Sequence, residues 1–292
     1  MPVQRSKKNP DSLDSSTKSF LPDATGIREF RKMVLSFYKR CGRDMPWRRT
    51  TDPYQILVSE IMLQQTQVGR VTQKFPEFIR QFPDFAVLAA APLADVLAAW
   101  QGMGYNRRAI ALQKCAVRVV TEYGGILPAD VELLATFPGI GTATASSIVA
   151  FAFNLPVVFI ETNIRRVFIH YFFPGTDKVS DAEILPLVRQ TLPAKNPRVW
   201  YWALMDLGTA LKKQVGNPNR RSVHYTKQVA FEGSDRKIRG SIIRLLVSNP
   251  GMTEVEVLAK LPEDPDRLLH ILSALEKEGL IVQNGGQVNL PS

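Results

Sequence analysis

Glu60 is the residue of this 292-residue chain whose surroundings most directly suggest proton chemistry. It lies in Ile56-Leu57-Val58-Ser59-Glu60-Ile61-Met62-Leu63, so its helical neighbours three and four positions away are Ile56, Leu57, Leu63 and Gln64. A carboxyl on such an apolar face loses hydration, its pKa moves toward neutrality, and it can then donate or shuttle a proton. A second carboxylate, Glu161, ends the apolar run Val157-Val158-Phe159-Ile160 and precedes Thr162, Asn163, Arg165 and Arg166. Two such carboxyls suit cleavage at a sugar carbon: one protonates the leaving group while the other stays ionised beside an oxocarbenium-like centre.

Around this pair stand residues suited to holding phosphates. Phe137-Pro138-Gly139-Ile140-Gly141 joins two expected helices, and Thr142 opens the second. In such a hairpin Gly139, Ile140, Gly141 and Thr142 bring backbone N–H groups close to an anion without reading base sequence. Between Lys212 and Phe231 stand the cations Lys212, Lys213, Arg220, Arg221 and Lys227 and no carboxylate, and residues 28–49 carry eight basic against two acidic side chains. One-sided clusters of this kind are read as phosphate-binding surface.

The elements that must position these groups are helices. Ile27, Phe30, Val34, Phe37 and Tyr38 recur at helical spacing, with Gly42 placed as a C-terminal cap. The same periodicity predicts helices near 56–68, 71–81, 94–101, 109–123, 130–137, 142–153, 163–172, 181–192 and 197–213, separated by Pro or Gly, and shows no clear strand before residue 280. After Phe231, Glu232-Gly233-Ser234-Asp235 reads as a linker. Beyond it a helix over 236–248, a Thr253/Glu256 capping box, a helix opened by Asp264-Pro265 and two short strands around Asn284-Gly285-Gly286 suggest a small winged-helix-like unit. That unit holds seven basic and seven acidic side chains between 236 and 292, which makes a structural or protein-docking role as natural as groove reading.

Composition narrows the classes. The chain is 45% hydrophobic with a formal net charge of +10, enough apolar content for a large core and a surplus that draws polyanions. Two cysteines, Cys41 and Cys115, exclude a disulfide framework, a zinc finger and a cysteine-ligated cluster. The polar start of the chain lacks the apolar core of a secretory signal, and the stretch from Ala143 to Ile160 is too interrupted to span a membrane. The expected organisation is a disordered tail (1–24), an all-α domain (25–231) and the winged-helix-like unit (235–292), in a cytoplasmic protein, nucleoid-associated if prokaryotic.

Five ordered motifs carry a family resemblance: Met45-Pro46-Trp47, Ser59-Glu60-Ile61-Met62-Leu63-Gln64-Gln65-Thr66-Gln67, Gly102-Met103-Gly104-Tyr105, Phe137-Pro138-Gly139-Ile140-Gly141 and Met205-Asp206-Leu207-Gly208. Over about residues 27–231 the chain resembles the adenine DNA glycosylases (MutY type) of the endonuclease III, helix-hairpin-helix superfamily. The resemblance implies an all-α helix-hairpin-helix glycosylase fold and excision of a flipped-out base. Glu60 matches the acid that protonates adenine and helps activate water. Gln64 and Gln65 match residues near the flipped nucleotide and its partner, Tyr105 a wedge in the base stack, and Asn163 a polar pocket residue.

The chain departs from the family pattern at four places. Glu161 stands where the family has an Asp that steadies the cationic sugar. Ala143 stands where bifunctional relatives carry a Schiff-base lysine, which implies a monofunctional enzyme without lyase activity. The four cysteines of the family's [4Fe-4S] loop match Lys212, Asn219, Ser222 and Gln228, so the loop over 206–231 is a cysteine-free remnant without a cluster, expected to be stapled by packing of Val215, Val223, Tyr225, Val229 and Phe231. The C-terminal unit is also far shorter than the Nudix-like domain common in the family. The expected function is a monomeric base excision repair glycosylase with no cofactor or metal. Its expected substrate is double-stranded DNA with a mismatched or damaged base, adenine opposite guanine or 8-oxoguanine leading. A thymine or uracil mismatch glycosylase and a catalytically inactive DNA-binding protein stay open as alternatives.

Overall fold

The computed structural model describes residues 22–226 and 233–291. In chain order its helices are α1 (Ala24–Cys41), α2 (Pro53–Leu63), α3 (Val68–Gln81), α4 (Phe85–Ala90), α5 (Leu93–Ala99), α6 (Arg107–Tyr123), α7 (Val131–Leu134), α8 (Thr142–Ala152), α9 (Thr162–Phe172), α10 (Asp181–Thr191), α11 (Pro197–Gln214), α12 (Asp235–Ser248), α13 (Glu254–Lys260) and α14 (Pro265–Lys277). Three short strands, β1 (Met252–Thr253), β2 (Val282–Asn284) and β3 (Gln287–Asn289), form an antiparallel sheet in the order β1-β3-β2. The fold is all-α apart from that sheet, and no described helix is long and apolar enough to cross a membrane.

The chain divides into two compact units, Met1–Asp44 with Ser146–Lys227 and Met45–Ala145 with Gln228–Ser292. In the first, α1, α9, α10 and α11 pack together, and the ring of Phe30 on α1 meets Phe168, Tyr171 and Phe172 of α9 and Trp200 of α11 at centroid distances of 4.9–5.9 Å. Asp206 of α11 is buried and receives the backbone N–H and guanidinium of Arg43 at 2.8 and 2.7 Å, so the charge pair carries its own hydrogen bonds. In the second unit α2 is buried on almost every face, as a helix apolar all round must be.

Several boundaries differ from the sequence expectation, each for a local reason. The helix expected over 56–68 ends at Leu63; the chain turns through Gln64–Gln67, with Gln65 at φ +54°, and restarts as α3. The helix expected over 130–137 is only the four residues of α7. The unexpected α4 is six residues long, too short for periodicity to register, and is capped by Asp84 accepting the Val87 N–H at 2.8 Å. A strand does precede residue 280: β1 is two residues, too short to alternate, and gains its place by pairing with β3. Of the expected tail, residues 1–21 lie outside the described residues, while Asp23 caps α1 and Ala24 begins it. Of the expected linker, Ser234 and Asp235 are the N-cap and first residue of α12, and Glu232 lies outside the described residues.

Candidate active site and DNA-facing elements

In the second unit Glu60 is half-open, whereas Ile56, Leu57, Val58, Ser59, Ile61 and Met62 around it are at most 1% exposed. The backbone beyond it is fixed by Arg108, which sequence reasoning missed. One terminal nitrogen of Arg108 donates to the carbonyls of Ile61, Met62 and Gln64 at 2.6–2.9 Å. The other donates to the Thr66 hydroxyl and the carbonyls of Met103 and Gly104 at 2.9–3.1 Å. Its guanidinium lies 5.4 Å from the Trp100 ring centroid and 5.5 Å from that of Tyr105. Burial pushes its pKa down to about 10, which leaves it charged at neutral pH. A cation at the C-terminal end of α2 also meets the negative end of the helix dipole. Arg108 therefore ties together two turns, one carrying Gln65 and the other Tyr105, both in the left-handed region with φ of +54° and +50°. Its position with Leu112, Cys115 and Val119 on the buried stripe of α6 was the available signal: a charge on an apolar face.

The hairpin is held from two sides. The Gln64 amide donates to the Gly139 carbonyl at 3.1 Å and to the Thr144 hydroxyl at 3.3 Å, so Gln64 docks this turn onto α2. The Cys115 thiol, with its pKa raised by burial to about 12, donates to the Pro138 carbonyl at 3.2 Å. Gly139 has φ +71°, and a Cβ there would stand 2.8 Å from the Ala111 Cβ, so only glycine fits both the turn and the approach of α6. Ile140 is buried as an anchor, while Gly141 and Thr142 are exposed where α8 begins.

Glu161 belongs to the first unit. It is the N-cap of α9: one carboxylate oxygen accepts the N–H groups of Asn163 and Ile164 at 2.7 and 2.9 Å, and the other accepts the Asn163 amide at 3.2 Å. Desolvation raises its pKa, against the lowering effect of those N–H donors and of Arg166. The Asn163 side chain is spent on positioning, since its carbonyl oxygen also accepts from Arg166 at 2.6 Å. Arg166, buried and with its pKa lowered by desolvation, continues to the Gly208 carbonyl at 2.8 Å and to Asn217 at 3.1 Å. Gly208 is required here: a Cβ would come within 2.4 Å of the Asn163 carbonyl oxygen.

The loop after α11 corrects the expectation of an apolar staple. Val215, Val223 and Tyr225 are 54%, 51% and 43% exposed, and Val229 and Phe231 lie outside the described residues. Polar groups close the loop instead. Arg221 donates to the carbonyls of Ile169, Phe173 and Thr176, and buried Asn219 donates to the Thr162 carbonyl at 2.8 Å. Val179 bridges the loop backbone through Arg221 O and Val223 N at 2.8 and 3.1 Å. The loop must satisfy α9's last carbonyls, and arginine does so where an alkyl side chain cannot. Of the five cations expected to bind phosphate in this loop, Lys212, Lys213 and Arg220 face solvent, Arg221 is turned inward, and Lys227 lies outside the described residues. Lys212, Asn219 and Ser222 offer no thiolate, and Asn219 and Ser222 are buried in internal hydrogen bonds, so these positions do not fit an iron-sulfur cluster; Gln228 lies outside the described residues.

Comparison with known proteins identifies the family. Residues 58–189 match the family described as HhH-GPD superfamily base excision DNA repair protein. The chain is 35% identical over 268 residues to the adenine DNA glycosylase of Mycolicibacterium smegmatis, covering 86% of this chain and 92% of that protein. It is 33% identical over 213 residues to the Homo sapiens adenine DNA glycosylase, covering 68% of this chain and 39% of that protein. Among solved structures a thermostable thymine-DNA glycosylase aligns with TM-score 0.56 and 26% identity over 64% of this chain and 88% of the other. A trapped endonuclease III–DNA intermediate aligns with TM-score 0.52 at 18% identity, over 64% and 84%, a likeness of fold alone.

Proposed function

The chain belongs to the adenine DNA glycosylases of the HhH-GPD base excision repair superfamily, and from that premise we propose a monofunctional enzyme that hydrolyses the N-glycosidic bond of adenine mispaired with guanine or 8-oxoguanine. The observation that carries the reading is Glu60, the one ionisable side chain in 56–63, left half-open among fully buried neighbours. In the proposed reaction Glu60 gives its proton to the adenine ring, the bond from C1′ to the base breaks, and the electron pair leaves with the base. Glu161, its carboxylate fixed at the N-cap of α9, offsets the positive charge that develops on the sugar. Water then adds to C1′ and its proton returns to Glu60, leaving free adenine and an abasic deoxyribose.

Gln65 and Tyr105, on the turns tied by Arg108, are assigned to extrusion of the base, and Gly139 to Thr142 with Lys212, Lys213 and Arg220 to the DNA backbone. Ala143, the second residue of α8, offers no amine for a Schiff base, which supports hydrolysis without strand cleavage. We take the protein to act without a cluster, as a monomer in the cytoplasm or on the nucleoid. Single-turnover assays on duplexes carrying A·G, A·8-oxoguanine, T·G and U·G pairs test the reading. Wild type should release adenine while Glu60→Gln loses at least ~100-fold in rate. Adenine release persisting in that variant, or release of thymine or uracil alone, overturns it. Borohydride should trap no covalent complex.

A further inference from the structure

Within the second unit a cleft of about 420 Å³ opens beside Tyr105 and Gln65, walled by Arg107 and Arg108 of α6 and by Arg236, Arg239 and Gly240 of α12. Its lining holds four arginines and no carboxylate. The balanced charge of the C-terminal unit is thus sorted in space, with Arg236, Lys237, Arg239 and Arg244 all on α12. Glu278 pairs with both Arg107 and Arg239, which lowers its pKa to about 2 and locks the end of α14 onto α6. That carboxylate cancels one guanidinium of the two it joins, so the cleft stays cationic. Arg236 donates to the Tyr105 hydroxyl and lies 5.5 Å from its ring centroid, joining the C-terminal unit to the wedge.

Gly240 gives the cleft a second, independent mark. It lies inside α12, where glycine weakens a helix, yet beyond its chain neighbours and the adjoining helix backbone no described atom comes within 4 Å of the place a Cβ would occupy. No turn and no packing partner demands it, and the missing side chain leaves this wall of the cleft open. Leu275 and Leu280 supply an apolar floor, and the volume falls in the ~300–1,000 Å³ range of ligand-sized sites.

We propose that this cleft seats one backbone phosphate and its deoxyribose from the DNA next to the wedge, which makes the C-terminal unit part of the DNA-binding surface. The inference rests on the glycosylase reading and adds a subsite to it. The test uses the full chain and an A·G mismatch duplex, with dissociation constants measured across a salt series for wild type, Gly240→Leu and Gly240→Ala. Leucine should weaken binding about tenfold and flatten the salt slope by about one, since it displaces one phosphate contact. Alanine should raise Tm yet weaken binding about threefold, because the added methyl favours the helix while it narrows the cleft. If leucine prevents folding, the alanine variant decides. Unchanged affinity and slope at raised Tm overturn the proposal. A wild type that binds the duplex without releasing adenine overturns the glycosylase reading instead and leaves the binding comparison intact.

Discussion

At Glu161 two backbone N–H groups and the start of α9 favour the ionised carboxylate while burial opposes it, and burial wins. The folded protein therefore binds a proton there more readily than the unfolded chain does. Between the ordinary value of 4.5 and the raised folded one, stability falls as pH rises, and at neutral pH the group is a net cost to the fold. In the proposed reaction activity would run the opposite way, since only the ionised form would steady a cationic sugar. Glu161→Gln should keep the cap, hold or raise Tm at pH 7, and lower the single-turnover rate ~100-fold. Equal rates in the two proteins would remove Glu161 from the chemistry. The acid limb of the wild-type rate profile should also vanish in this variant. Arg108 behaves differently, because six acceptors depend on it: Arg108→Met should lower stability by ~3 kcal/mol in chemical denaturation, as several buried carbonyls lose their donor.

Among the elements, α9 and α11 approach closely where Gly208 meets Asn163. Gly208→Ala puts a methyl against backbone that cannot rotate away; it should cost ~3 kcal/mol or more and shift the urea midpoint without changing the slope. Gly139→Ala combines a strained φ with a clash against Ala111, so it should weaken duplex binding as well as stability. These positions also show what the sequence revealed. The long helices were legible because their apolar residues recur in register, as Phe30, Val34 and Phe37 do in α1, and capping boxes such as Thr253 with Glu256 marked a start. The end of α2 was not legible, because a residue forty-four positions away, Arg108, draws the Gln64 carbonyl out of the helix. Glu60 stood out by its neighbours. Arg166 did not, since nothing local signals that an arginine will be buried against Gly208 and Asn217.

For the molecule as a whole, the formal charge of +10 matters through where the cations point. Reversing charge at Lys212, Lys213 and Arg220 should leave Tm nearly unchanged and reduce the salt slope of duplex binding by ~2–3, about one per lost phosphate contact. A slope equal to that of wild type would remove this loop from the interface. Arg221→Ala should act the other way, lowering Tm with little effect on the slope, because its donors are spent on the carbonyls that end α9. That difference has a consequence beyond binding. The Arg221 and Asn219 latch consists of hydrogen bonds within the chain itself, so it closes as α9 folds. Under the proposed cluster-free reading, iron chelation during expression should leave the Tm of the purified protein unchanged, and a lowered Tm would count against it.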